Sequence, residues 1–276
     1  MVYDAINKIL IKNKVLAPKL YKENYNMNYI EIQDFGNETI FSKLNKKKNN
    51  RFNYFKKVIN LLNKIQSIKN KKIKNFKNKN YTIPKYDKKI LINEANLFCD
   101  WYLKKNPPKL TKDKFSKKFK RIIKRLTLNL KLKNSFFVHR DFHVSNLMLV
   151  NDRIGLIDSQ DALIGNRAYD LASLIDDVRL KTSKSFKKKV FNFYIKKHHK
   201  LDISKFKNDF EILSILRNLK IIGIFSRLAM RDGKKSYLKM IPYTWKLIRM
   251  RINENGSFQD LKRLLNENFK KKLNEN

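Results

Sequence analysis

The sequence predicts an α+β fold: a small strand-bearing piece up to about Gly36, then a mostly helical body that holds one β-hairpin. Three observations predict it. Short alternating runs flank a turn at residues 25–28, and long stretches with apolar residues at helical spacing follow them. Leu147 to Val150 and Ile154 to Ile157 are two apolar runs joined by the turn signal Asn151-Asp152. The 276 residues give room for one large or two modest domains with a sizeable core. A hydrophobic content of 42% and an aromatic content of 12% fit a globular rather than a disordered chain.

Asp4 to Asn13 sets Ala5, Ile6, Ile9 and Leu10 at helical spacing, and Pro18 stops that helix. Lys19 to Tyr21 and Asn28 to Asp34 alternate as strands, closed by Phe35-Gly36. From Ile40 to Ile68 the spacing of Phe41, Leu44, Phe52, Phe55, Ile59, Leu62 and Ile65 is helical, interrupted at a Lys-Asn cluster. Lys69 to Asn80 reads as a charged, solvated connector. Tyr86 to Leu103 is a patterned helix with Asp87 near its start, where the helix dipole favours a carboxylate. Pro107-Pro108 breaks the chain, and Lys114 to Leu130 is a basic amphipathic helix leading to the hairpin. Ala162 to Gly165 reads as a turn, and Tyr169 to Ile175 opens a helix with Asp170 in its first turn. Phe186 to Lys197, Lys205 to Met230, Tyr237 to Arg251 and Phe258 to Phe269 are helical. Met230, Met240 and Met250 read as core filler, Cys99 as a core thiol, and His198-His199 as an exposed basic face.

No apolar run approaches a membrane span, and no small-residue cleavage site follows the N-terminus. A single cysteine excludes an internal disulfide and fits a reducing cytoplasm. The formal charge is +40, and Lys43 to Lys89 alone holds 17 basic residues and one acid. Such a surface attracts polyanions. Lys, Asn, Ile, Phe and Tyr share A/T-rich codons, however, and all are abundant, so codon bias is the favoured reading and no specific nucleic acid is expected.

The chemistry gathers between Phe136 and Asp161. Apolar Phe136, Phe137 and Val138 lead into His139, Arg140 and Asp141; Asn146 follows five residues after Asp141, and Asp158 twelve after Asn146. The hairpin would hold two carboxylates and an amide oxygen at one end, hard ligands suited to Mg²⁺ carrying phosphates. The spacing matches the H-x-D-x-x-x-x-N catalytic loop of phosphoryl transfer with a metal-binding aspartate on the next strand. Asp141 would take or orient the proton of an attacking hydroxyl, while Asn146 and Asp158 hold the metal. His139 packs and hydrogen-bonds to fix the loop. For Arg140 a phosphate contact and a structural salt bridge stay open, as do loop bracing and plain helix-start placement for Asp170.

These residues resemble the aminoglycoside phosphotransferase and choline kinase superfamily, with a protein-kinase-like fold. Within it they look closest to the bacterial N-acetylmuramate/N-acetylglucosamine kinases, anomeric sugar kinases of cell-wall recycling. The resemblance is carried by Val138 to His143 with Asn146-Leu147-Met148, and by Ile157 to Ala162 with Tyr169-Asp170-Leu171. Tyr86-Asp87 with Glu94, Phe98 and Trp101-Tyr102 adds to it, as does Leu219 to Leu228 with Arg231 to Lys234. It implies ATP as donor, Mg²⁺ as cofactor and a sugar or amino-sugar acceptor phosphorylated on its anomeric hydroxyl. By analogy Asp141 is the catalytic base, Asn146 and Asp158 bind metal, and Glu94, Trp101 and Arg227 face the substrate.

The superfamily begins with a nucleotide lobe that carries a flexible hairpin, a strand lysine and a helix glutamate. Here no glycine precedes Gly36, and Lys8, Lys12 and Lys14 sit on or beside the first helix. The expectation is therefore a truncated N-terminal β lobe and hinge strand over residues 1–36, with Gln33 and Asp34 at the adenine. A helical C-terminal lobe over residues 37–276 would carry the catalytic-loop hairpin. Truncation, a downstream start site and a degenerate pseudokinase all remain open.

Overall fold

The computed structural model describes residues 2–46 and 50–274; Lys47 to Asn49, the middle of the Lys-Asn cluster, lie outside the described residues. In chain order, α1 (Val2–Lys12) is followed by the hairpin of β1 (Leu20–Asn24) and β2 (Tyr29–Ile32), then α2 (Ile40–Lys46) and α3 (Arg51–Gln66). Next come β3 (Lys72–Lys74), β4 (Asn80–Thr82), α4 (Lys88–Trp101) and α5 (Lys112–Leu128). The central stretch holds β5 (Asn134–Val138), β6 (Leu147–Val150), β7 (Arg153–Leu156) and β8 (Leu163–Asn166). The chain closes with α6 (Ala168–Ile175), α7 (Lys184–Lys196), α8 (Ile203–Arg231), α9 (Ile241–Ile252) and α10 (Gln259–Asn274). Side chains cap the starts of α4, α5, α7 and α8: Asp87, Thr111, Ser183 and Asp202 each accept a backbone N–H of the first turn.

By backbone contacts the chain forms two compact units, Met1–Tyr86 with Lys133–Leu201, and Asp87–Leu132 with Asp202–Asn276. In the first, α1 buries Ala5, Ile6, Ile9 and Leu10, as its spacing predicts. The β6–β7 hairpin turns through Asn151 (φ 46°) and Asp152 (φ 59°), the left-handed pair that a tight two-residue turn requires. Neighbouring chain grips it on both strands: Leu156 N–H donates to Leu16 at 2.8 Å, and Leu149 N–H donates to Glu38 at 2.7 Å.

In the second unit α4 packs along α8 so closely that a Cβ on Gly223 would sit 2.3 Å from the Leu97 carbonyl carbon. Its core is aromatic. Phe98 stacks on Tyr102 and Phe119, with ring centroids 5.0 and 5.5 Å away, and meets Trp245 and Phe269 edge-on. Cys99 lies in this core, and burial pushes its thiol up to about 12.

Several sequence expectations need correction. Lys69 to Asn80 is no plain loop: β3 and β4 pair there, with Ile73 buried between charged neighbours. The Asn75 side chain accepts the N–H groups of Lys77 and Lys79, so asparagine builds the turn that its composition disguised as linker. Ala162 to Gly165 is largely strand, since β8 pairs antiparallel with β5 and all four of its residues are buried. The helix expected from Tyr237 begins at Ile241, where Pro242 fits the first turn. Met230 is exposed, and Met240 and Met250 are half-buried, so none fills the core. His198 is half-buried in a polar cluster, while its neighbour His199 is exposed.

Candidate active site

Strand β5 buries Phe137 and Val138 and so delivers His139, Arg140 and Asp141 at a fixed place. Asp170, fully buried in the first turn of α6, accepts the N–H groups of His139 and Arg140 at 2.7 and 3.1 Å. The bracing geometry is therefore present, and it supports Arg140 in the left-handed region (φ 74°). The Arg140 guanidinium lies 3.8 Å from the Asp161 carboxylate and 5.5 Å from the centroid of the Tyr86 ring. His139 is fully buried with Nε2 against the Ile157 carbonyl at 3.1 Å. Burial holds its pKa below the usual range even though Asp141 and Asp158 pull it upward.

Asp141, Asn146 and Asp158 meet at one end of the β6–β7 hairpin. Asn146 Nδ2 donates to the Asp141 carbonyl at 3.1 Å and approaches Asp158 Oδ2 at 3.4 Å. Its backbone carbonyl accepts Ile157 N–H, which ties the loop to the residue before Asp158. Asp158 is exposed and takes φ 63°, a conformation that aspartate tolerates better than most side chains. The site thus offers the Asp158 carboxylate beside the Asn146 carboxamide, whose nitrogen lies between the Asp141 carbonyl and Asp158. This donor set fits a hard divalent cation and not a thiophilic one.

Other residues here escaped sequence reading. Gln160 donates to Asp158 Oδ1 at 2.8 Å. Asn7 hydrogen-bonds Ser159 Oγ and donates to the Pro18 carbonyl, pinning α1 to the turn after Asp158. Tyr3 bonds Asn7, and burial raises its phenol with a further push from the Asp158 charge. Asp177 accepts Val144 N–H at 3.2 Å. Lone polar residues on an amphipathic helix carry no spacing signal, so only the Asp176-Asp177 pair beyond α6 could have drawn notice.

At the expected hinge, Gln33 N–H donates to Lys19, and Asp34 accepts Gly36 N–H at 2.7 Å. Phe35 lies against Gly155, where an added Cβ would come within 2.7 Å of its ring. The substrate-side candidates belong to the second unit. Glu94 pairs with Lys220 at 3.0 Å, and Lys104 sits 4.2 Å above the Trp101 ring. Arg227 has a buried Nε with no hydrogen-bond partner among the described residues.

A family model described as the phosphotransferase enzyme family (APH) matches residues 3–203. An N-acetylmuramate/N-acetylglucosamine kinase of Neisseria meningitidis serogroup B is 34% identical over 166 residues, covering 58% of this chain and 50% of that protein. The kinase of the same name from Pseudomonas putida is 25% identical over 95% of this chain and 76% of its own length. The chain thus spans about half the length of the Neisseria relative. Among solved structures, a Plasmodium vivax ethanolamine kinase superposes with a TM-score of 0.61 at 18% identity, over 89% of this chain and 73% of its own. The choline kinase LicA of Streptococcus pneumoniae gives 0.59 at 13% identity, over 88% and 78%. The fold is accordingly the α+β, protein-kinase-like one, with a mostly helical body. On the strength of a match across most of its length, the chain belongs to the phosphotransferase enzyme family.

Proposed function

We propose that this protein is an ATP- and Mg²⁺-dependent kinase for a sugar hydroxyl, the anomeric hydroxyl of N-acetylmuramate or N-acetylglucosamine, acting in cytoplasmic cell-wall recycling. The observation that carries the reading is the convergence of Asn146 on both Asp158 and the Asp141 backbone, beneath a loop braced by Asp170. Asp141 orients the acceptor hydroxyl and takes its proton. Asn146 and Asp158 hold the cation, which offsets charge on the transferring phosphoryl group when bound. Residues 1–36 end in the hinge, with Gln33 and Asp34 beside the adenine, and residues 37–276 form the lobe that presents the loop. Glu94, Trp101 and Arg227 line the sugar side. The names of the curated relatives support the acceptor class.

The test is a coupled ADP-release assay over both amino sugars. Turnover that needs Mg²⁺ and drops about 10²–10⁴-fold in Asp141→Ala is expected. Unchanged turnover in Asp141→Ala or Asp158→Ala would overturn the assignment. A second reading, nucleotide binding without turnover, is favoured by one observation: Lys8 lies on α1 and pairs with Asp4 at 3.1 Å rather than standing on a strand. Saturable ATP binding with no ADP release from any sugar would select it.

A further inference from the structure

The loop from His139 to Asn146 is anchored at two points by carboxylates from one later segment. Asp170, near the start of α6, holds His139 and Arg140. Asp177, just past the end of α6, holds Val144 N–H. Asp177 is 1% exposed and Val144 is fully buried. The second Asp177 oxygen accepts Arg179 N–H at 3.0 Å and lies 3.5 Å from the Arg179 guanidinium.

Helix stability does not account for this placement. Asp176 and Asp177 stand at the negative end of α6, where the dipole favours cations. Lys187, itself buried, offsets Asp176 at 3.1 Å. Asp177 is offset by Arg179 and by the loop amide. A buried anion at the unfavourable end of a helix answers a demand from outside that helix. Val144 opens a 3-10 turn, Val144–Asn146, that ends on the expected metal ligand.

We propose that Asp177 is a positioning residue for the metal site: by fixing Val144 N–H it sets the turn that aims Asn146 beside Asp158. The proposal rests on the reading of Asn146 as a cation ligand. Partners at this remove from a metal are commonly worth about 10- to 100-fold in metal affinity.

The experiment compares wild type, Asp177→Ala and Asp177→Asn, the last of which keeps a neutral acceptor for Val144. Hydrogen–deuterium exchange should quicken in the peptide spanning residues 139–147 of Asp177→Ala, stay slow in α8 peptides, and be largely restored in Asp177→Asn. Exchange that is unchanged, or faster throughout the chain, overturns the positioning role. In the ADP-release assay the Mg²⁺ concentration for half-maximal rate should rise about 10- to 100-fold in Asp177→Ala with the sugar KM unmoved. A lowered kcat with unmoved Mg²⁺ dependence would mean a merely structural role and overturn the link to the metal. If wild type shows no turnover, the kinase reading falls, and the exchange result alone decides whether Asp177 sets the loop.

Discussion

At the scale of single residues, His198 shows how burial and neighbours fix a protonation state. Its Nε2 donates to Asn63 Oδ1 at 2.9 Å, and its Nδ1 receives Arg167 at 3.1 Å, an arrangement that suits the neutral ring. Desolvation first, then Arg167 and Lys197, lowers its pKa to about 4. Between that value and the unfolded value near ~6.5 the unfolded chain binds the extra proton, so stability rises with pH. The contribution is complete above that window and lost as pH falls through it. Urea midpoints measured from pH 7.5 down to pH 4.5 should therefore fall more steeply for wild type than for His198→Gln. Asp170→Ala strands two backbone N–H groups, one at a fully buried histidine, and each orphan costs about 1–3 kcal/mol. Chemical unfolding should report a loss of about 2–6 kcal/mol. The residues whose types and offsets form a pattern, Asp141, Asn146 and Asp158, were legible in the sequence. Asn7 and Asp177 were not, because their partners lie 152 and 33 positions away in the chain.

Among the elements, the helices and the two expected hairpins announced themselves, while β3, β4 and β8 did not. Amphipathic spacing over 11 to 29 residues averages out local accidents, which is why α1 and α8 fall close to their expected bounds. Strand β3 alternates over only three residues, too few to stand out, and β8 is buried on both faces and offers no alternation to read. The contact of α4 with α8 carries a sharp prediction. Gly223→Ala forces a methyl into the Leu97 backbone, which cannot yield as a side chain tip would. It should cost about 1–3 kcal/mol or more, measured by thermal or urea unfolding. Gly256→Ala meets nothing within 4 Å and serves as the near-neutral control.

For the molecule as a whole, composition was the least informative signal and continuity of chain the most misleading. Each compact unit is assembled from two separate stretches, so α4 and α5 interrupt the unit that carries the His139–Asn146 loop. Such an insertion leaves no mark in hydrophobic periodicity. The net charge of +40 predicts adhesion to any polyanion without a dedicated site. Retention on heparin should collapse between about 50 and 200 mM salt; retention at higher salt would point to a shaped surface.

The sole cysteine has a practical consequence. Because Cys99 is sealed in an aromatic core with its thiol pushed up to about 12, maleimide dyes should leave the native protein untouched. Ser257→Cys, at an exposed position, would then give a single fluorescent adduct by mass spectrometry without engineering away the native sulfur.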